Sequence, residues 1–85
     1  MPYSVQFTPT AERAFGSLET TIRRRIARAI DSLAQAPRPP GAKKLAGLEN
    51  LWRIRVGDYR IIYRIFDRTL VIVIVTHGHR GDVYR

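Results

Sequence analysis

The sequence predicts an α+β domain, with two early helices packed on one face of a small, mainly antiparallel sheet. Three observations predict it. Residues 51–63 alternate with period two on both sides of Gly57-Asp58, which reads as two strands joined by a two-residue turn. Residues 70–75 (Leu70-Val71-Ile72-Val73-Ile74-Val75) form a short apolar run, which reads as a buried central strand. Upstream, apolar residues recur at helical spacings of three and four. Helices come early and strands late, in the order β-α-α-β-β-β. That order leaves the second face of the sheet available.

The elements follow in turn. Tyr3, Val5 and Phe7 alternate with Ser4 and Gln6, giving a first strand. Thr8-Pro9 then supplies a helix N-cap and a first helical residue. Ala11, Ala14, Phe15 and Leu18 make the apolar stripe of a short helix, ended by Gly16-Ser17. A second helix is expected from about Glu19 to Ala34, with Ile22, Ile26, Ala29, Ile30 and Leu33 facing the core. Arg23, Arg24, Arg25 and Arg28 fall mostly off that stripe and read as a solvated face. Pro37-Arg38-Pro39-Pro40-Gly41 excludes helix and central strand, so it is a rigid loop. Residues 43–48 connect that loop to the hairpin. The last strand is expected over about Leu70 to Thr76.

Composition bounds the function. The 85 residues make one domain, residues 1–85, without repeat or low-complexity segment. A chain of this size buries roughly 60% of its unfolded surface, so its core is modest. It has no cysteine, which excludes disulfide and thiolate chemistry. No apolar run reaches the roughly 18 residues of a membrane span, and Met1-Pro2-Tyr3-Ser4 is not a signal peptide. A cytoplasmic location is the expectation, with no membrane partner. Fifteen basic against seven acidic residues give a net charge of +8, a strong field that favours polyanionic or acidic partners.

The chemistry is expected on the open face. Closing the Gly57-Asp58 turn pairs Val56 with Tyr59, Arg55 with Arg60, Ile54 with Ile61 and Arg53 with Ile62. Trp52, Ile54, Val56, Tyr59, Ile61 and Tyr63 then face the helices. Arg53, Arg55, Arg60 and Arg64 face the other way. Like charges directly opposite each other destabilise a sheet, so an anion between Arg55 and Arg60 would relieve a standing cost. The planar guanidinium fork suits phosphate. Such a set stabilises a charged phosphoryl transition state. The acids Glu49, Asp58, Asp67 and Asp82 sit at turns and loops, so a two-metal nuclease site is not expected. His77-Gly78-His79 lacks a third ligand of obvious spacing, and no metal or other cofactor is expected.

Three motifs together resemble one family. They are Lys44-Leu45-Ala46-Gly47, the Trp52-Arg53-Ile54-Arg55 to Tyr59-Arg60-Ile61-Ile62-Tyr63 hairpin, and Gly78-His79-Arg80-Gly81-Asp82-Val83-Tyr84-Arg85. The chain resembles the RelE branch of the RelE/ParE toxin superfamily over nearly its whole length. The resemblance implies a microbial-RNase-like fold and a toxin of a type II toxin–antitoxin system. Its partners would be a cognate antitoxin, in a toxin–antitoxin hetero-oligomer, and the ribosome with its mRNA. The implied activity is metal-independent mRNA cleavage in the ribosomal A site. There the messenger 2′-hydroxyl attacks the adjacent phosphate and leaves a 2′,3′-cyclic phosphate and a 5′-hydroxyl. Arg53 and Arg55 match positions that hold RNA phosphate. Arg60 matches the transition-state arginine, Arg80 the residue assisting the leaving oxygen, and Tyr84 the proposed general base. Lys43 and Lys44 are expected to contact backbone phosphates at longer range.

The chain departs from the family where both hairpin cations are arginine rather than lysine. Arginine does not deprotonate in proteins, so proton removal falls to Tyr84 or to neutral His79. His77 stands where an apolar residue is more usual. The alternatives are a ParE-like gyrase poison on the same fold, or a catalytically silent RNA- or ribosome-binding module.

Overall fold

The computed structural model describes residues 2–45 and 50–79, the last three by backbone alone. The elements are β1 (Ser4–Phe7), α1 (Pro9–Gly16), α2 (Thr20–Gln35), β2 (Lys43–Lys44), β3 (Leu51–Val56), β4 (Tyr59–Phe66) and β5 (Val71–His79). They form one five-stranded sheet in the order β1-β5-β4-β3-β2. β1 lies parallel to β5, and the other pairs are antiparallel.

The helices start where the sequence places them. The Thr8 side chain accepts from the Ala11 amide at 3.1 Å, and Pro9 occupies the first turn without losing a bond. Glu19 caps α2 by accepting from the Thr21 amide at 3.1 Å. The hydrogen bond to that amide holds the Glu19 carboxyl below its ordinary range. Ile26, Ile30 and Leu33 of α2 and Ala11 of α1 pack against Ile54, Ile61, Tyr63, Ile65, Ile72 and Ile74. Trp52, Val56 and Tyr59 complete this layer, so the helix-covered face is the expected one. No helix among the described residues is long and apolar enough to cross a membrane.

Three features differ from the sequence reading. Lys43-Lys44, read as part of a connector, is a two-residue edge strand, because β3 offers backbone partners at Trp52 and Arg53. β5 runs to His79, three residues past the expected end. It also carries a bulge. Ile62 pairs with Thr76 but Tyr63 pairs with Ile74, so Val75 has no counterpart in β4. The Thr8 hydroxyl donates to the Val75 carbonyl at 2.8 Å, and the Thr8 amide donates to the Ile74 carbonyl at 3.0 Å. One capping threonine therefore starts α1 and satisfies the bulge.

Candidate functional site: a cationic face on the hairpin

The hairpin register is the one the turn predicts. Arg55 faces Arg60, and Arg53 faces Ile62. Positive φ falls on Gly57 (61°) and not on Asp58, the pattern of a type II′ turn, whose first central residue calls for glycine. In such a hairpin the closing pair exchanges both backbone bonds, and the next pair is the non-hydrogen-bonded kind. Cα atoms of that kind of pair approach to about 4.5 Å. Arg55 and Arg60 hold this position, so two cationic residues stand opposite each other at the closest backbone spacing a sheet offers.

Neighbouring strands extend the row. Lys43 of β2 is the register partner of Arg53, which brings a lysine beside the arginines. Lys44 pairs with Trp52, on the opposite pleat, so it does not join them. On the other side, β5 presents Gly78 to Arg60 and Thr76 to Ile62. The cationic face therefore reads Lys43, Arg53, Ile62, Thr76 along one row and Arg55, Arg60, Gly78 along the next. A glycine beside Arg60 leaves no Cβ on that flank.

This face is not wholly polar. Leu51 and Ile62 share its alternation and are 8% and 4% exposed, outside the main core cluster. Ile62 lies between Arg60 and Arg64 on its own strand and opposite Arg53. Arginine stems can cover apolar surface while the charge stays wet, and Arg53, Arg60 and Arg64 are accordingly half-buried. At the sheet edge, where β2 stops, a groove of about 590 Å³ opens between α2, the Pro39-Pro40-Gly41 loop and β3. Lys43, Arg53 and Arg55 line one wall, and Ala29 and Ser32 line the other.

The tail residues fare differently. The backbone of His79 lies in β5 opposite Tyr59, one residue beyond the partner of Arg60. His77 lies opposite Ile61. Arg80 and Tyr84 fall outside the described residues, as do Ala46 and Gly47 of the first motif. Among the described residues, no three His, Asp or Glu side chains gather within reach of one metal ion.

A second polar cluster, at the opposite end of the sheet, escaped the sequence reading. Arg38 donates to Asp67 through Nη1 at 3.3 Å and Nη2 at 2.8 Å, and its Cζ lies 5.2 Å from the Trp52 ring centroid. The Tyr3 hydroxyl donates to the same carboxylate at 2.7 Å. The bonds from Arg38 first, and from Tyr3 second, hold the Asp67 carboxyl below its ordinary range. The same carboxylate raises Tyr3. The buried Tyr63 donates to the Pro37 carbonyl at 2.8 Å, and burial pushes its phenol up to about 12. Asp67 lies at the turn after β4, as its residue type predicts, but no local spacing signals its distant partners.

Comparison with known proteins settles the family. Residues 5–84 match the family model described as the ParE toxin of type II toxin–antitoxin system, parDE. The chain belongs to the RelE/ParE family of type II toxins. It is 36% identical over 86 residues to Toxin RelG of Mycobacterium tuberculosis, covering 100% of this chain and 99% of that protein. It is 31% identical over 88 residues to a RelE-like toxin protein of Escherichia coli, covering 99% of this chain and 92% of that protein. An archaeal RelE–RelB complex from Pyrococcus horikoshii contains a chain of similar fold. Its TM-score is 0.84 at 33% identity, covering 98% of this chain and 100% of that one. Although the family model carries a ParE name, these relatives carry RelE names, which places this toxin in the RelE family.

Proposed function

We propose that this toxin is a ribosome-dependent mRNA endonuclease of the RelE kind. The observation that carries the reading is the Arg55–Arg60 pair, with Arg53 and Lys43 in the adjoining row. Like charges set this close gain most when a phosphate lies between them. Arg53, Arg55 and Lys43 hold the RNA backbone. Arg60 carries the charge that develops on the non-bridging oxygens as the 2′-oxygen attacks phosphorus. The bond to the 5′-oxygen breaks, a 2′,3′-cyclic phosphate forms, and Arg80 stabilises the departing oxyanion, which takes a proton from water to become the 5′-hydroxyl. Lys44, on the other pleat, adds only to the longer-range field.

The proton of the 2′-hydroxyl goes to Tyr84, with His79 orienting phosphate. A tyrosine acting as base needs its phenol lowered from its usual pKa of about 10, a shift that neighbouring cations produce. The two candidate bases give different pH profiles. A histidine base makes the single-turnover rate fall as pH drops through roughly 6–7, whereas a tyrosine base keeps the rate rising above neutral pH. Tyr84→Phe should lose about 100-fold or more. A near-normal Tyr84→Phe beside a crippled His79→Gln reverses the assignment.

The partner that silences the toxin is a cognate antitoxin, as the RelE–RelB complex suggests by likeness. Its neutralising segment is acidic or amphipathic, lies over the cationic face, and forms a hetero-oligomer with the toxin. The test of the main reading is primer extension on messages from cells induced for the toxin. Breaks confined to translated codons at the A site are expected. Intact messages with broken or unsupercoiled DNA support the ParE-like alternative, and intact nucleic acids with stalled ribosomes support silent binding.

A further inference from the structure

Arg25 of α2 has no part in the chemistry above, yet it reaches the hairpin. It precedes the buried Ile26, so the core fixes its backbone. A Cβ built on Gly57 would stand 3.2 Å from Nη2, 3.3 Å from Nη1 and 3.5 Å from Cζ of Arg25. The open end of the guanidinium fork thus closes on the turn from the helix side. The same side chain lines a small recess with Ile22 of its own helix and with Val56, Asp58 and Tyr59 of the hairpin. Glycine suits this place on two counts. The backbone has φ +61°, and a Cβ would push the exposed guanidinium back by a few tenths of an ångström.

The turn has work to resist. The pair next to its closing residues is Arg55–Arg60, whose charges push the two strands apart at the tip. We infer that Arg25 is a positioning residue, bracing the Gly57–Asp58 turn against α2 and so fixing the spacing at which Arg55 and Arg60 meet a phosphate. The inference rests on the phosphate role given to that pair above. The brace works by the shape of a planar guanidinium over a glycine, because Arg25 sits on the helix side while the pair faces away. Lysine keeps the charge beside Asp58, which lines the same recess, but it lacks the plane, so it should not replace arginine.

The experiment compares wild type with Arg25→Ala, Arg25→Lys and, as a charge-loss control on the same helix, Arg24→Ala. Two readouts are taken: single-turnover cleavage on programmed ribosomes, and amide hydrogen exchange at Tyr59. Both Arg25 variants should cut roughly 10- to 100-fold more slowly at unchanged half-saturating ribosome concentration, up to the loss that a misplacement of about 1 Å costs. Both should exchange the Tyr59 amide faster, with Arg24→Ala like wild type in each respect. Arg25→Lys at the wild-type rate overturns the proposal, since charge alone then suffices. A raised half-saturating concentration with unchanged rate and exchange also overturns it, since Arg25 then contacts RNA directly. Should wild type cut no message, the cleavage reading fails by itself and exchange alone judges the brace. Unchanged Tyr59 exchange in Arg25→Ala then refutes it.

Discussion

Arg38 and Arg60 are both arginines of one small sheet domain, and their surroundings are opposite. Arg38 is matched by the Asp67 carboxylate, which also accepts from Tyr3, and it lies over the Trp52 ring. Arg60 faces Arg55 across the strand pair, with Gly78 on its other flank. The first arrangement closes the molecule. It ties the N-terminal strand, the proline loop and the β4–β5 turn together with opposite charge. The second puts like charge on like charge and gains by taking an anion from outside. What each arginine is set against, more than the number of cations, therefore separates the two: a carboxylate and an indole ring for Arg38, a second arginine across the strand pair for Arg60.

Arg60→Ala tests that contrast most severely. Single-turnover cleavage should fall by about 100-fold or more, while the fold survives, since the relieved like-charge contact offsets part of the stem packing that is lost. Cleavage within a few-fold of wild type would remove Arg60 from the transition state and break the comparison.

At the opposite end, Tyr63→Phe should do the reverse. It removes the bond to the Pro37 carbonyl and should cost about 1 kcal/mol of stability, with cleavage unchanged. The pH dependence sharpens this. The folded phenol titrates near 12, above its unfolded value near 10. Above pH 10 or so the unfolded chain gives up that proton while the folded chain keeps it, so stability present below about pH 10 drains away toward pH 12. Denaturant unfolding from pH 9 upward should decline less steeply in Tyr63→Phe than in wild type. Parallel curves would show that the buried phenol does not matter.

Asp67→Asn should have the smallest effect, because exposed ion pairs contribute little. The folded carboxyl titrates below its unfolded value, so its contribution is present above about pH 4 and lost as pH falls through the depressed folded value. Urea midpoints of wild type and Asp67→Asn should therefore differ slightly at neutral pH and converge in acid. A gap that persists in strong acid would assign the effect to packing rather than charge.

Much of the site was legible because its rules are local. Gly57 in first place fixed the turn type, the turn fixed the register, and the register put Arg55 against Arg60. Thr8-Pro9 and the apolar stripe of α2 fixed the helices. Lys43-Lys44 was not legible as a strand, since two lysines carry no period and pair only because β3 presents an edge. Arg38 and Asp67 stand 29 residues apart, and neither announces the other.

The helices, the hairpin with its arginine row, and the motifs that mark the family follow from the order of residues alone. Each depends on spacing within one segment, which helical and strand periods translate directly into faces. Tertiary structure decided how the segments meet. It laid β1 parallel to β5 and set the guanidinium of Arg25 on Gly57. It also placed the Val75 bulge, held by a hydroxyl 67 residues away. That bulge shifts the phase of β5 by one residue, so Gly78 rather than a histidine stands opposite Arg60. Alternation cannot foretell a skipped residue, because the partner that stabilises the skip lies on another element of the fold.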